Sequence, residues 1–141
     1  MRSSLMRVPC LVHDGLSVWD TLAIAEHLNE LHAEAAMLPA ERVTRARCRS
    51  IAGEIHYGFS ALGSALPMNL RARKSRFAIW SGARADIDAI LEIWRGCLST
   101  WHGSFLFGDR VTIADLMYAP GVTRFETYGV TMDDECAAYA S

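Results

Sequence analysis

A carboxylate followed directly by a hydroxyl stands at Asp20 and Thr21, just ahead of Ile24, Leu28 and Leu31, which recur at helical spacing. In that position Asp20 accepts from backbone N–H groups that the first turn of a helix leaves without partners. From residue type alone, a helix cap is the simplest reading of the pair. Cys10 sits beside Pro9 and has the chemistry of a nucleophile, but its surroundings offer no basic partner and no second thiol at redox spacing. It reads as a small buried apolar residue, and the dispersed Cys48, Cys97 and Cys136 read as reduced and mostly buried. Five histidines, His13 and His56 among them, show no convergent spacing, so no metal is expected. Arg71, Arg73, Lys74 and Arg76 form a basic cluster of the kind phosphate rewards. No base-reading architecture follows it and the formal net charge is −2, which favours a solvated loop over a nucleic-acid interface.

The elements that must position these residues follow from periodicity and turn chemistry. Val8 to Val12 is extended, with Pro9 at a strand start, an edge or a special turn. His13 to Gly15 reads as a tight turn and Leu16 to Val18 as the return strand of a small hairpin. A boundary falls around Leu38 to Ala40. A long helix is predicted from about Glu41 toward Leu66, its buried stripe formed by Val43, Ala46, Ile51, Ile55, Phe59, Leu62 and Leu66, with Pro67 ending it. Ile87, Ile90, Leu91, Trp94 and Leu98 mark a second helix that should pack against the long one. Gly103 to Gly108 encloses a hydrophobic turn, and Thr112 to Asp115 has the form of an N-terminal capping box with aspartate as a short variant of the usual glutamate. Asp133, Asp134 and Glu135 open a final short helix.

Hydrophobic residues at 51% against 21% charged, with four prolines, describe a folded chain rather than a disordered one. No apolar run approaches the roughly 20 residues of a membrane span. Met1 to Arg7 lacks a signal-peptide core, and the cytoplasm is the expected compartment.

Three separated features together resemble the glutathione transferase family: Val8, Pro9, Cys10 and Leu11 with the Asp14–Gly15 turn; Asp20 and Thr21 opening a helix with Ile24 and Ala25; and Thr112 through Asp115. The stretch Ile55, His56, Gly58, Phe59, Leu66, Pro67, Met68 and Asn69 is similar to a bacterial subgroup of that family. The resemblance implies an α/β plus all-α chain: a partial thioredoxin-like portion over residues 1–36, followed by an all-helical domain over 41–141. It implies glutathione as substrate or ligand, with Val8 before a cis Pro9 meeting the peptide's cysteinyl backbone and with Asp20 and Thr21 meeting its γ-glutamyl end. Asp20 would pair with the ammonium there. Thr21 and the helix N-terminus would donate to the carboxylate.

His56, Tyr57, Phe59, Met68 and Trp101 are candidates for an apolar second-substrate pocket, although aromatic residues at such spacing also build cores. The implied activity is transfer of glutathione to an apolar electrophile, and the alternative is a non-catalytic glutathione-binding or interaction module. The family's serine, tyrosine or cysteine lies on a segment ahead of the hairpin, so no catalytic residue is assigned in this chain. Relatives of this family pair as dimers, and a hairpin with one helix leaves apolar faces to cover, so a homodimer is expected with aggregation as its rival.

Overall fold

The computed structural model describes residues 8–74 and 77–141; the readings placed on Met1 to Arg7 and on Arg76 lie outside them. The chain opens with an antiparallel hairpin of β1, Cys10–His13, and β2, Leu16–Trp19. Asp14 and Gly15 link the strands with φ of 47° and 79°, the pair of positive angles that a two-residue type I′ turn demands. His13 therefore belongs to the strand and not to the turn, paired with Leu16. Directly opposed residues share a face, so Leu11, Val18, His13 and Leu16 lie on one side and Cys10, Trp19, Val12 and Ser17 on the other. The first face meets helix α1, Thr21–Leu31, where His13 reaches His27.

A 3₁₀ turn at Ala33–Ala35 leads into the linker. Its backbone is pinned at Met37: Asn29 Oδ1 accepts from Met37 N at 3.1 Å, and Met37 O accepts from Ile113 N at 2.8 Å. The helical part then runs α2, Arg42–Tyr57; α3, Ser60–Ala65; α4, Ser81–Trp101; α5, Ile113–Tyr128; and α6, Asp134–Tyr139. This is a short hairpin followed by a mostly helical architecture, a partial thioredoxin-like unit ahead of an all-helical domain.

The long helix expected from Glu41 to Leu66 is instead two, because the chain turns at Gly58 and Phe59. Phe59 has φ −106° and ψ 59°, outside the helical region, and caps α3. The second helix stops at Ala65, ahead of Leu66 and Pro67, as the clash between a proline ring and the preceding residue requires. The buried stripe of α2 also differs from the expected one. Cys48, Ile51 and Ala52 face the core with Ile55 beside them, whereas Val43 is 73% exposed. Glu41 begins this helix, its two carboxylate oxygens accepting from Val43 N at 2.9 Å and Thr44 N at 2.7 Å.

The main partner of α2 is α5, while α4 packs on α3 and α6, so the second helix meets the expected long one through its C-terminal part, α3. Trp94 of α4 is fully buried at the centre, edge-on to Tyr118 and Tyr139 and tilted against Phe125 with ring centroids 4.9–5.8 Å apart. Such aromatic pairs contribute about 0.5–1.5 kcal/mol each beyond simple burial. The basic segment after α3 is exposed but tied down: Arg73 pairs with Glu126 at 2.6 Å, Lys74 N donates to Thr127 O, and Thr127 Oγ1 donates to Asn69 O.

Asp115 governs the start of α5. Its Oδ2 accepts from Thr112 N at 2.7 Å and Thr112 Oγ1 at 2.8 Å, and its Oδ1 accepts from Leu106 N at 2.9 Å. The expected box is present, and the same carboxylate also closes the hydrophobic turn in which Phe105 pairs with Gly108. Asp115→Ala would leave two buried N–H groups without an acceptor, a loss on the order of 2–4 kcal/mol. We expect a clearly lower unfolding midpoint by thermal or urea denaturation; an unchanged midpoint would contradict this role.

Candidate functional site

The N-terminus of α1 and the C-terminus of α2 meet at one carboxylate. Asp20 follows β2 with φ 77° and ψ 132°, a region that only glycine enters freely. Holding a non-glycine residue there costs on the order of 1–3 kcal/mol, and such residues concentrate at functional sites. In return the side chain faces two ways. Oδ1 accepts from Leu22 N at 3.0 Å and Ala23 N at 3.3 Å, capping α1. Oδ2 meets His56 Nε2 at 2.8 Å and lies 3.5 Å from the Tyr57 hydroxyl.

Burial works against the charge of Asp20, but the hydrogen bonds from His56 and the helix N–H groups outweigh it and hold the carboxyl below its ordinary value of 3.8. Thr21 is the first residue of α1 and half-buried, and its own N–H and hydroxyl are the donors of that turn which no described residue takes up. The Val8–Pro9 peptide bond is cis, and both residues are exposed ahead of β1.

One further ion pair holds this junction. Arg49 donates from Nε to Glu26 Oε1 at 2.6 Å and from a terminal nitrogen to Oε2 at 3.0 Å, a forked geometry joining α2 to α1. Hydrogen bonding from Arg49 keeps the Glu26 carboxyl below its ordinary range. Arg49 and His56 stand seven residues apart, two turns along one helix face, so both bonds bind the same face of α2 to α1. That spacing was present in the sequence, but neither bond was read from it.

The remaining candidates separate. His56 and Tyr57 stand at the C-terminal end of α2 beside Asp20, their rings edge-on at 4.3 Å. Phe59 is half-buried against the core and Met68 is exposed beyond α3. Trp101 lies at the end of α4, its ring on Phe107 at 4.4 Å. It lines a cavity of about 440 Å³ between α2 and α4 together with Val43, Arg47, Ile51 and Glu54. Trp101 therefore lines this cavity, whereas His56 does not and sits instead at Asp20.

Burial pushes the thiols of Cys48 up, of Cys97 up to about 12 and of Cys136 up to about 11, so none of these three is a thiolate at neutral pH. Cys10, expected to be buried, is exposed instead, because it lies on the hairpin face turned away from α1. Among the described residues no three His, Cys, Asp or Glu side chains gather as a metal site, and no helix is long and apolar enough to cross a membrane.

These features define a class before any particular relative is considered: a cis-proline hairpin, a helix capped by an acidic residue, and a helical domain organised by a capping box. Residues 40–140 match the family described as the C-terminal domain of glutathione S-transferase, and the chain belongs to it. It is 31% identical over 114 residues to a probable maleylacetoacetate isomerase of Caenorhabditis elegans, covering 81% of this chain and 53% of that protein. To the maleylacetoacetate isomerase of Rattus norvegicus it is 29% identical, covering 91% and 58%. The chain therefore spans somewhat more than half the length of these curated relatives. A glutathione transferase homolog from Burkholderia, solved with bound glutathione, superposes with a TM-score of 0.72 at 28% identity, covering 98% of this chain and 66% of the other.

The depressed Asp20 carboxyl carries a signed consequence. A group whose folded pKa lies below its unfolded value stabilises the fold fully above that unfolded value, near 3.8, and the contribution is lost as pH falls through the lower folded pKa. The Asp20 side-chain resonance followed through an acid titration is expected to have its midpoint below 3.8, and His56→Gln is expected to move that midpoint upward.

Proposed function

We propose that this chain is the γ-glutamyl-gripping portion of a glutathione transferase, in a protein that transfers glutathione to an apolar electrophile. The carrying observation is the turn at Asp20 and Thr21. An acidic side chain held in an uncommon backbone conformation stands beside a backbone N–H and hydroxyl at a helix N-terminus that no described residue takes up. Glutathione's γ-glutamyl end bears an ammonium and a carboxylate on one carbon, and this turn offers an acceptor to one and donors to the other. Val8, fully open before the cis bond, offers backbone N–H and C=O to the cysteinyl portion as an added strand would. The glutathione held by the Burkholderia relative supports the same reading. His56 and Tyr57 then belong with the glutathione end of the cleft rather than with a separate apolar pocket.

A second reading rests on the curated relatives, which are named maleylacetoacetate isomerases. In that case the protein isomerises an unsaturated diketo acid and the glutathione is not consumed. A binding module without turnover is the third outcome. Calorimetric titration of glutathione is expected to show saturable binding that Asp20→Ala weakens by at least about tenfold, since a hydrogen-bonded charge contributes about 1.5–3 kcal/mol. Loss of free thiol on addition of an aromatic halide supports the transferase, isomerisation at constant thiol supports the isomerase, and binding without either supports the module. Absence of binding overturns all three.

We further propose a homodimer in the cytoplasm. The hairpin's second face, with Val12 68% and Trp19 38% exposed, and the cavity between α2 and α4 are the apolar surfaces that a partner would cover. Sedimentation across a concentration series should give a discrete species of twice the monomer mass. A monomer throughout would remove the dimer, and polydisperse growth would mark edge-to-edge aggregation instead.

A further inference from the structure

The outward side of α2 carries five exposed residues at alternating steps of four and three: Val43, Arg47, Ser50, Glu54 and Tyr57. Side chains so spaced stand in one stripe along a helix, because two turns take about seven residues. The stripe is about 20 Å long and has an order: apolar, cation, hydroxyl, anion, aromatic. Val43 and Tyr57, at its ends, are 73% and 74% exposed. Arg45 and Arg49 of the same helix are engaged with the linker and with Glu26, whereas among the described residues neither Arg47 nor Glu54 has an ion-pair partner.

We infer that this stripe is the seam of a two-fold homodimer in which α2 of one copy lies antiparallel against α2 of the other. The inference rests on the homodimer proposed above and gives it an axis. An isologous contact requires that where one residue meets a second, the second also meets the first. Turned end for end about Ser50, the stripe meets that condition with opposites. Arg47 faces Glu54 of the partner subunit, Glu54 faces Arg47 of the partner subunit, and Val43 lies against Tyr57 of the partner subunit. A parallel pairing sets arginine on arginine and glutamate on glutamate, which like-charge repulsion disfavours.

The cavity of about 440 Å³ between α2 and α4 supports the same partner. Arg47 and Glu54 both line it, beside an apolar wall that includes Ile51, Ile93 and Trp101, so the two charges border a surface that a second copy closes. Gly96 lies on the α4 side of this cavity, inside a helix where glycine is disfavoured relative to alanine. Nothing in the chain lies within 4 Å of where its Cβ would stand, so no internal contact calls for glycine, and the bare backbone admits close approach from outside. The seam also reaches the candidate site, because the hydroxyl of Tyr57 stands 3.5 Å from Asp20.

Sedimentation equilibrium of the wild-type chain, R47E and E54R tests the seam without glutathione. Wild type should form a reversible dimer that weakens as salt is added. Each single variant sets two like-charge pairs in the seam and should dimerise at least about tenfold more weakly. An equimolar mixture of R47E and E54R should recover a dimer of wild-type strength, because both contacts of the mixed dimer again join arginine to glutamate. The double variant R47E/E54R, with the pair exchanged, should recover it alone. A wild-type chain that stays monomeric overturns the homodimer and the seam together. A dimer that both single variants form as strongly as wild type, or a mixture and a double variant no stronger than the singles, overturns the seam and leaves the homodimer standing.

Discussion

A single carboxylate, that of Asp115, sets the geometry on which the site depends. By taking Thr112 N, Thr112 Oγ1 and Leu106 N together, it fixes both where α5 starts and how the glycine-flanked turn lies against it. The next N–H, that of Ile113, is then presented to Met37 O and anchors the linker from the hairpin unit. With α5 placed, its chief neighbour α2 is placed, and the outward face of α2 carries Arg49 and His56 to Glu26 and Asp20. A hydrogen-bonded corner in the core thereby decides the orientation of a half-exposed cluster at the surface.

The junction between the hairpin unit and the helical domain is polar, and this has a physical reason. The hairpin and α1 contain no fully buried residue among those described, so little apolar area is available to dock them. Two charge-assisted contacts, together with Arg45 of α2 donating to the linker carbonyls Pro39 O and Ala40 O, hold it directionally instead. Such bonds hold orientation well but are exposed to solvent screening, so the rigidity of this junction rests on the helical domain beneath it.

Asp20 shows how one residue satisfies both cap and site. A carboxylate capping a helix needs only one oxygen; the other remains free for a partner approaching from outside. His56 takes that position here at 2.8 Å, with the Tyr57 hydroxyl 3.5 Å away. The cysteines contribute in the opposite sense: Cys48, Cys97 and Cys136 are filled into the core, where burial removes their reactivity.

Local chemistry was enough to read the Asp14–Gly15 turn, the Asp20 cap, the Thr112–Asp115 box and the acidic start of α6, because each is a backbone requirement answered by a side chain within three residues. Periodicity located α1 and α4, because side chains on one helix face recur every three to four residues along the chain. It overran α2, because the apolar repeat continues through Gly58 and Phe59 while the backbone there leaves the helical region. The pairing of His56 with Asp20, of Arg49 with Glu26 and of His27 with His13 lay beyond sequence reasoning. Each joins elements that are 14 to 36 residues apart, and only the packing of α1 between the hairpin and α2 brings those side chains within reach.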